Sequence, residues 1–210
     1  MSKVEAKRAF SSKKADAILS AALQEFSAHG FTAATMSQVA ATAGVSKATI
    51  YSHFDDKENL FVALVKKMAQ QKASTPFWEQ MLQGDPRKVL PLLLSKALDT
   101  ITSDSTLLAF KRLIIGESGR FPKLAQIFVC NMSKPSLEIL SQYLATQPYL
   151  KFADPEATAR VVVGTIVYYT QMQEMLHGKE IIPMDKERLV ATLVHMVLSS
   201  AEPLQSEDSP

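Results

Sequence analysis

Within TMSQVAATAGVSKATIYSHF, residues 35–54, two helix starts stand so close together that only a pair of short helices can form there. Thr35 followed three residues later by Gln38 is a capping-box pattern, in which each side chain satisfies a backbone N–H of the other residue at a helix start. Val39, Ala40 and Ala43 then share one face, and Gly44 supplies a residue able to turn left-handed and end the helix. After the connection Gly44-Val45-Ser46, Ser46 can cap a second helix from Lys47 to about His53, and Asp56 is placed to cap a longer one through Leu60, Phe61, Leu64, Val65 and Met68. Upstream, Ile18, Leu19, Ala22, Leu23 and Phe26 recur at helical spacing from about Ser12, until His29-Gly30 ends the run. Two short helices across a tight glycine turn form a helix-turn-helix pattern.

The second of these helices has two unlike sides. Val45, Ile50 and Phe54 can pack it onto its neighbours, with Ala43 small enough for close approach. Lys47, Ala48 and Thr49 occupy the first turn, where a helix lying in the major groove presents side chains to base edges. Tyr51 and His53 further along, and Lys57 at the head of the next helix, carry donors suited to backbone phosphate. Each has a plainer alternative: Tyr51 as half-buried packing, His53 as a turn residue. His29 reads as a helix-end residue, since a cation near a C-terminus suits the helix dipole. The net charge of +2 says little, but the front of the chain is basic. Up to Phe54, Lys3, Lys7, Arg8, Lys13, Lys14 and Lys47 face only Glu5, Asp16 and Glu25, so an anionic partner is expected at this end.

Residues from about 12 to 66 resemble the DNA-binding domain of the TetR family of bacterial transcriptional regulators. The likeness lies in ILSAALQEFSAHGF and in TMSQVAATAGVSKATIYSHFDDKENLF, with its Thr, its apolar-Ala pair, Ala-Gly-Val-Ser, an apolar-Tyr pair, His-Phe and Lys. The resemblance places the helix-turn-helix at Thr35 to Phe54 and implies DNA contacts at Thr35, Ser37, Lys47, Thr49, Tyr51, His53 and Lys57, with Met36 and Ala48 at neighbouring positions that vary with operator. It implies an all-α fold of about nine helices, in which a three-helix DNA-binding domain precedes a helical ligand-binding and dimerisation domain. The expected boundaries are a basic arm at 1–11, the DNA-binding domain with its linking helix at 12–72, the regulatory domain at 73–201 and a disordered tail at 202–210.

Beyond the head, Pro76 and Gln83-Gly84-Asp85-Pro86 break the pattern, and helices are expected over about 86–102, 105–117, 122–146, 154–177 and 185–201. Pro135 should kink or split the third of these. GRFPKLAQIF, residues 119–128, resembles an Arg-Phe-Pro-acid-Leu segment of one branch of the family, with Lys123 in place of the acid. Locally it reads as a helix start, with Pro122 in the first turn and Phe121 stapled against Ile127 or Phe128.

The helices near 154–177 and 185–201 leave almost no polar face, more apolar surface than one side can bury. The resemblance implies that they pair with their symmetry mates in a four-helix dimer interface, through Val161, Thr165, Tyr168, Met172, Leu189, Leu193, Met196 and Val197. A mainly apolar effector cavity would be lined from Phe77, Trp78, Met81, Phe110, Phe128, Met132, Tyr143, Tyr169 and Met172, each of which also suits plain core packing.

Catalysis would need a nucleophile with its base, paired carboxylates or spaced metal ligands, and none is visible. Cys130 has no histidine near it in sequence, and His177 and His195 stand alone, so no catalytic residue, cofactor or metal is expected. With one cysteine, no apolar leader and no apolar run long enough for a bilayer, a soluble cytoplasmic protein without membrane attachment is expected. The expected partners are a double-stranded operator, a small effector and a second copy of the chain. The alternative is a helical ligand-binding protein or enzyme without sequence-specific DNA binding.

Overall fold

The computed structural model describes residues 3–73, 82–148 and 150–203. Along the chain run α1 (Lys3–Ala33), α2 (Met36–Thr42), α3 (Lys47–His53), α4 (Lys57–Ala73), α5 (Pro86–Ser103), α6 (Ser105–Glu117), α7 (Pro122–Phe128), α8 (Lys134–Ala145), β1 (Leu150–Phe152), α9 (Pro155–Tyr169), α10 (Lys186–Ser199) and β2 (Ala201–Pro203). No helix among the described residues is long and apolar enough to cross a membrane. The chain divides into two units, Met1–Lys72 with Ala109–Asn131, and Ala73–Leu108 with Met132–Pro210. Residues 109–131 therefore associate with the head, across the boundary expected at 72/73.

In the first unit, α1 reaches back to Lys3, so its helix includes residues 3–11 of the expected basic arm. The run is broken at Gly30, whose φ of 76° and ψ of 163° lie in a region open essentially to glycine alone. Ile18, Ala22 and Phe26 of α1 are fully buried with Val39, Ile50, Leu60 and Val65. Aromatic rings continue this core into α6 and α7. Phe31 lies 5.4 Å from Phe26 and 5.5 Å from Phe61, Phe61 lies 6.0 Å from Phe110, and Phe110 lies 6.0 Å from Phe128. Burying one such ring contributes about 1.5–3 kcal/mol, and each well-set pair roughly 0.5–1.5 more. Phe110, one of the residues expected to line a cavity, is a fully buried member of this core. The Phe121 ring, just before α7, meets Phe31 edge-on at 4.9 Å.

The second unit packs α9 on α8 and α10 on α5 around Leu90, Leu94, Leu98, Leu144, Ala159 and Val162. Asp85, Asp154 and Asp185 each accept a backbone N–H in the first turn of α5, α9 and α10, at 2.9, 2.9 and 2.8 Å. Lys186 is ion-paired with Asp99, tying α10 to α5. The helix expected over 122–146 is split as Pro135 requires: a π-turn at Val129–Ser133 precedes α8, since proline gives no N–H and its ring crowds the preceding turn.

The helix expected to reach 177 leaves α-geometry at Tyr169 and continues as a π-turn, Thr170–Met175. Buried Gln173 there donates to the Ile182 carbonyl at 3.1 Å and accepts from the Met184 N–H at 3.2 Å, so it holds the following loop. The fold is all-α as expected, apart from a small antiparallel ribbon in which Leu150, Lys151 and Phe152 pair with Pro203, Glu202 and Ala201. The first residues of the expected disordered tail are thus strand β2. The remainder lies outside the described residues.

Candidate nucleic-acid interface

The helix-turn-helix is built by side chains that satisfy the backbone at each helix end. Thr35 Oγ1 accepts the Gln38 N–H at 3.2 Å, and Gln38 Oε1 accepts the Thr35 N–H at 2.9 Å, the reciprocal pair that the sequence predicted. α2 ends where Gly44 turns left-handed at φ 66°, letting the Val45 N–H return to the Ala40 carbonyl at 2.9 Å. Ser46 Oγ then accepts the Thr49 N–H at 3.1 Å and starts α3. Asp56 Oδ1 accepts the Asn59 N–H at 2.7 Å and starts α4.

With Ile50 buried, α3 can present only its opposite side to solvent. Lys47 and Ala48 are exposed, and Tyr51 is 50 % exposed, so half its ring is free of packing. Thr49 is half-buried, and its hydroxyl is shared with Ser46 Oγ at 2.8 Å, which divides it between capping and outward contact. His53, also half-buried, holds Nδ1 3.0 Å from the Thr49 carbonyl, an orientation fixed by its own helix. Of the α2 positions, Thr35 is exposed and Ser37 half-buried, whereas Met36 points into the core and is not available to an operator.

Lys57 departs from the expectation of a phosphate contact. Its Nζ donates to the carbonyls of Phe31, Thr32 and Ala34 at 2.6, 3.0 and 2.9 Å, and sits 4.7 Å from the centre of the Phe31 ring. An ammonium has three N–H donors, and these three oxygens match them in number. Burial lowers the pKa of Lys57, and the nearby Glu117 carboxylate opposes that shift. In this structure the residue fastens the first turn of α4 to the end of α1.

Residues 18–64 match the model for bacterial regulatory proteins of the tetR family. Residues 88–200, more than half of the chain, match that for the AefR-like transcriptional repressor, C-terminal domain. The chain belongs to the TetR family of bacterial transcriptional regulators. The uncharacterised HTH-type transcriptional regulator YhgD of Bacillus subtilis (strain 168) is 41% identical over 189 residues, 84% of this chain and 90% of YhgD. The HTH-type transcriptional repressor AcnR of Corynebacterium diphtheriae is 43% identical over 56 residues, 27% of this chain, so the match spans only 30% of that repressor. Among solved structures, the flavonoid-responsive regulator FrrA superposes with a TM-score of 0.66 at 27% identity, covering 91% of this chain and 98% of FrrA. FadR of Bacillus subtilis, in complex with stearoyl-CoA, shares the fold at a TM-score of 0.61 and 21% identity, over 88% of this chain and 97% of FadR.

For this TetR-family head, the structure adds positioning groups that no local pattern announced. Thr42 Oγ1 donates to Glu25 Oε1 at 2.6 Å, tying α2 to α1, and Lys67 pairs with Asp16 at 2.8 Å, tying α4 to α1. Glu25 and Asp16 are two of the three acids in an otherwise basic front, and that was the available signal. Glu117 of α6 accepts the Phe31 N–H at 2.9 Å, a contact spanning 86 residues of sequence.

Of the expected cavity residues, Phe110 and Phe128 belong to the first unit, and Met132, Tyr143, Tyr169 and Met172 to the second, while Phe77, Trp78 and Met81 lie outside the described residues. Tyr143 is a core residue whose hydroxyl donates to the Gly84 carbonyl at 3.0 Å, and burial raises its pKa well above the ordinary tyrosine value. Tyr169 donates to the Met184 carbonyl at 3.3 Å, and its pKa too is raised by burial.

The proposed interface residues also divide. Val161, Tyr168 and Met196 stand well exposed, the last two at 62 % and 60 %, and Thr165, Met172 and Leu189 are half-buried. Leu193 and Val197, at 6 % and 4 %, face into the protomer's own core and cannot serve a partner.

Proposed function

We propose that the chain is a homodimeric, ligand-responsive repressor that binds a palindromic operator through α2 and α3. The observation that carries this reading is α3 itself. It is a capped helix anchored by buried Ile50, whose outward side offers Lys47, Ala48 and half of Tyr51, with Thr35 and Ser37 beside it on α2. Lys47 and Ala48, in the first turn, are the base-reading pair, and Thr35, Ser37, Thr49, Tyr51 and His53 hold the backbone. Lys57 is removed from the contact set and acts on the shape of the head.

The α9 face bearing Val161, Val167 and Tyr168, all close to half exposed or more, supports a twofold interface with Met196 of α10. Such a dimer would carry two α3 helices to half-sites about 34–36 Å apart. The solved relative named for a flavonoid response and the one bound to stearoyl-CoA, with its long acyl chain, support an effector that has a large apolar part. By linkage, an effector that favours a different setting of the heads weakens operator binding by the same factor that DNA weakens effector binding, typically ~5–150-fold.

The test is selection of bound fragments from the source genome, followed by titration of a selected fragment at several salt concentrations. Salt-sensitive, sequence-selective binding by a dimer is expected; equal affinity for all fragments sinks the reading.

A further inference from the structure

Glu117 ends α6, and its two carboxylate oxygens have unlike surroundings. Oε1 accepts the Phe31 N–H at 2.9 Å, while Oε2 is buried and accepts no hydrogen bond. An orphaned buried acceptor carries a penalty, so this docking is held against a cost. Gly30 is what permits it, because a Cβ there would come within 2.8 Å of Oε1. The same stretch is gripped from the other side by Lys57, through the carbonyls of Phe31, Thr32 and Ala34, and by Phe121, whose ring meets that of Phe31. Residues 30–34 lead directly into Thr35, the cap of α2.

We propose that Glu117 is the positioning residue through which α6 sets the DNA-reading helices: docked on the Phe31 N–H it holds the α1–α2 corner in the operator-competent setting, and undocked it frees that corner. Three observations converge on it. The contact is a single directional bond to the first amide after the break in α1. The segment it holds is the one that carries α2. Its helix, α6, runs from Ser105 and ends at this residue, so the carboxylate stands at the helix terminus that meets the corner. An open cleft of ≈ 350 Å³ between α1 and α6, lined by Phe26, Ser27, Gly30, Arg112, Gly116 and Glu117 among others, leaves room for the end of α6 to shift. The proposal rests on the regulator reading given above.

The test uses the full chain, a genomic fragment selected by the wild type, and the variants Glu117→Gln, Glu117→Asp and Glu117→Ala. Operator affinity, the thermal midpoint and hydrogen exchange at the Phe31 amide are measured for each. Glu117→Gln keeps an oxygen at the position of Oε1 and should bind within about twofold of wild type. Glu117→Asp keeps the charge but withdraws the oxygen by one methylene, and with Glu117→Ala it should weaken operator binding roughly 5- to 100-fold while exchange at Phe31 accelerates. Wild-type-like affinity in the Asp variant, or a Gln variant as weak as Asp, overturns the proposal. If the Ala variant does not fold, the Gln and Asp pair decides it alone. If the wild type selects no DNA, the regulator reading fails, whereas the docking itself is still judged by whether exchange at Phe31 separates Asp from Gln.

Discussion

Replacing Lys57 by methionine separates a structural lysine from a phosphate-binding one. Lys57→Met keeps most of the stem and its volume but removes all three N–H donors. Two of the carbonyls they serve, those of Phe31 and Ala34, are held in part-buried bonds, and the third, at Thr32, is exposed and can turn to water. A part-buried bond from a charged donor is worth about 1.5–3 kcal/mol, and the exposed one close to nothing. The cation over the Phe31 ring adds roughly 0.5–1 kcal/mol. The bonds share one donor and are not additive, and desolvation of the ammonium, the main cause of its lowered pKa, offsets part of the gain. The net loss is then about 2–3 kcal/mol, which for a chain of this length lowers the thermal midpoint by roughly 4–12 °C.

Thermal unfolding is one assay, and operator titration between about 50 and 200 mM salt is the other. Each phosphate contact contributes about 0.9 to the slope of log affinity against log salt concentration. The expected result is a lower midpoint with an unchanged slope. A midpoint within about 1 °C of wild type, together with a slope flatter by about 0.9 per protomer, would refute the reasoning: Lys57 would then serve DNA and not the α1–α2 corner.

Gly30→Ala places a side chain at φ 76° and its Cβ 2.8 Å from Glu117 Oε1, so a loss of at least about 2 kcal/mol is expected by denaturant unfolding; a neutral result would mean that this corner relaxes freely. Tyr143 has a pKa raised by burial, so the folded state keeps its proton longer than the unfolded one, and the stability it contributes is fully present below about pH 10 and falls as pH rises beyond that. Tyr143→Phe should therefore cost about 1 kcal/mol at neutral pH through the lost bond to Gly84, yet flatten the alkaline limb of stability against pH; an unaltered limb excludes Tyr143 as its source. Lys47→Ala should reduce discrimination between a selected operator and mismatched fragments; a uniform loss across all fragments, with a flatter salt dependence, would make Lys47 a phosphate contact. Tyr168→Asp places a charge on the exposed α9 face and should shift the chain toward monomer in sedimentation without lowering protomer helicity; an unchanged dimer would move the interface elsewhere.

What could be read from sequence was what helix chemistry decides locally. The Thr35–Gln38 box, the Ser46 and Asp56 caps and the Gly44 turn each involve residues within a few positions of one another, so spacing alone specifies them. The same holds for the split before Pro135. Features missed or misread depended on partners far along the chain. Phe121 gave no local sign of its contact with Phe31, and Leu193 and Val197 looked identical in pattern to Met196 although only Met196 faces outward. A helix apolar on nearly all sides gives no phase from which to tell its two faces apart.

Lys57 shows where this limit bears on function. A lysine at the start of a helix beside a DNA-reading pair has a reach compatible with phosphate, and composition cannot distinguish that from a lysine turned back onto its own backbone. The decision is made at the end of α1. The helix stops at Ala33, so the carbonyls of Phe31, Thr32 and Ala34 have no following turn to serve them and take an outside donor, and the break at Gly30 leaves the Phe31 N–H to an outside acceptor. Lys57 supplies the first and Glu117 the second. The break, the cation and the anion are one device assembled from three distant parts of the chain, and it determines how α2 and α3 are held. The outward residues of α2 and α3 are therefore legible from twenty consecutive positions, while the residues that hold the two helices in place are not.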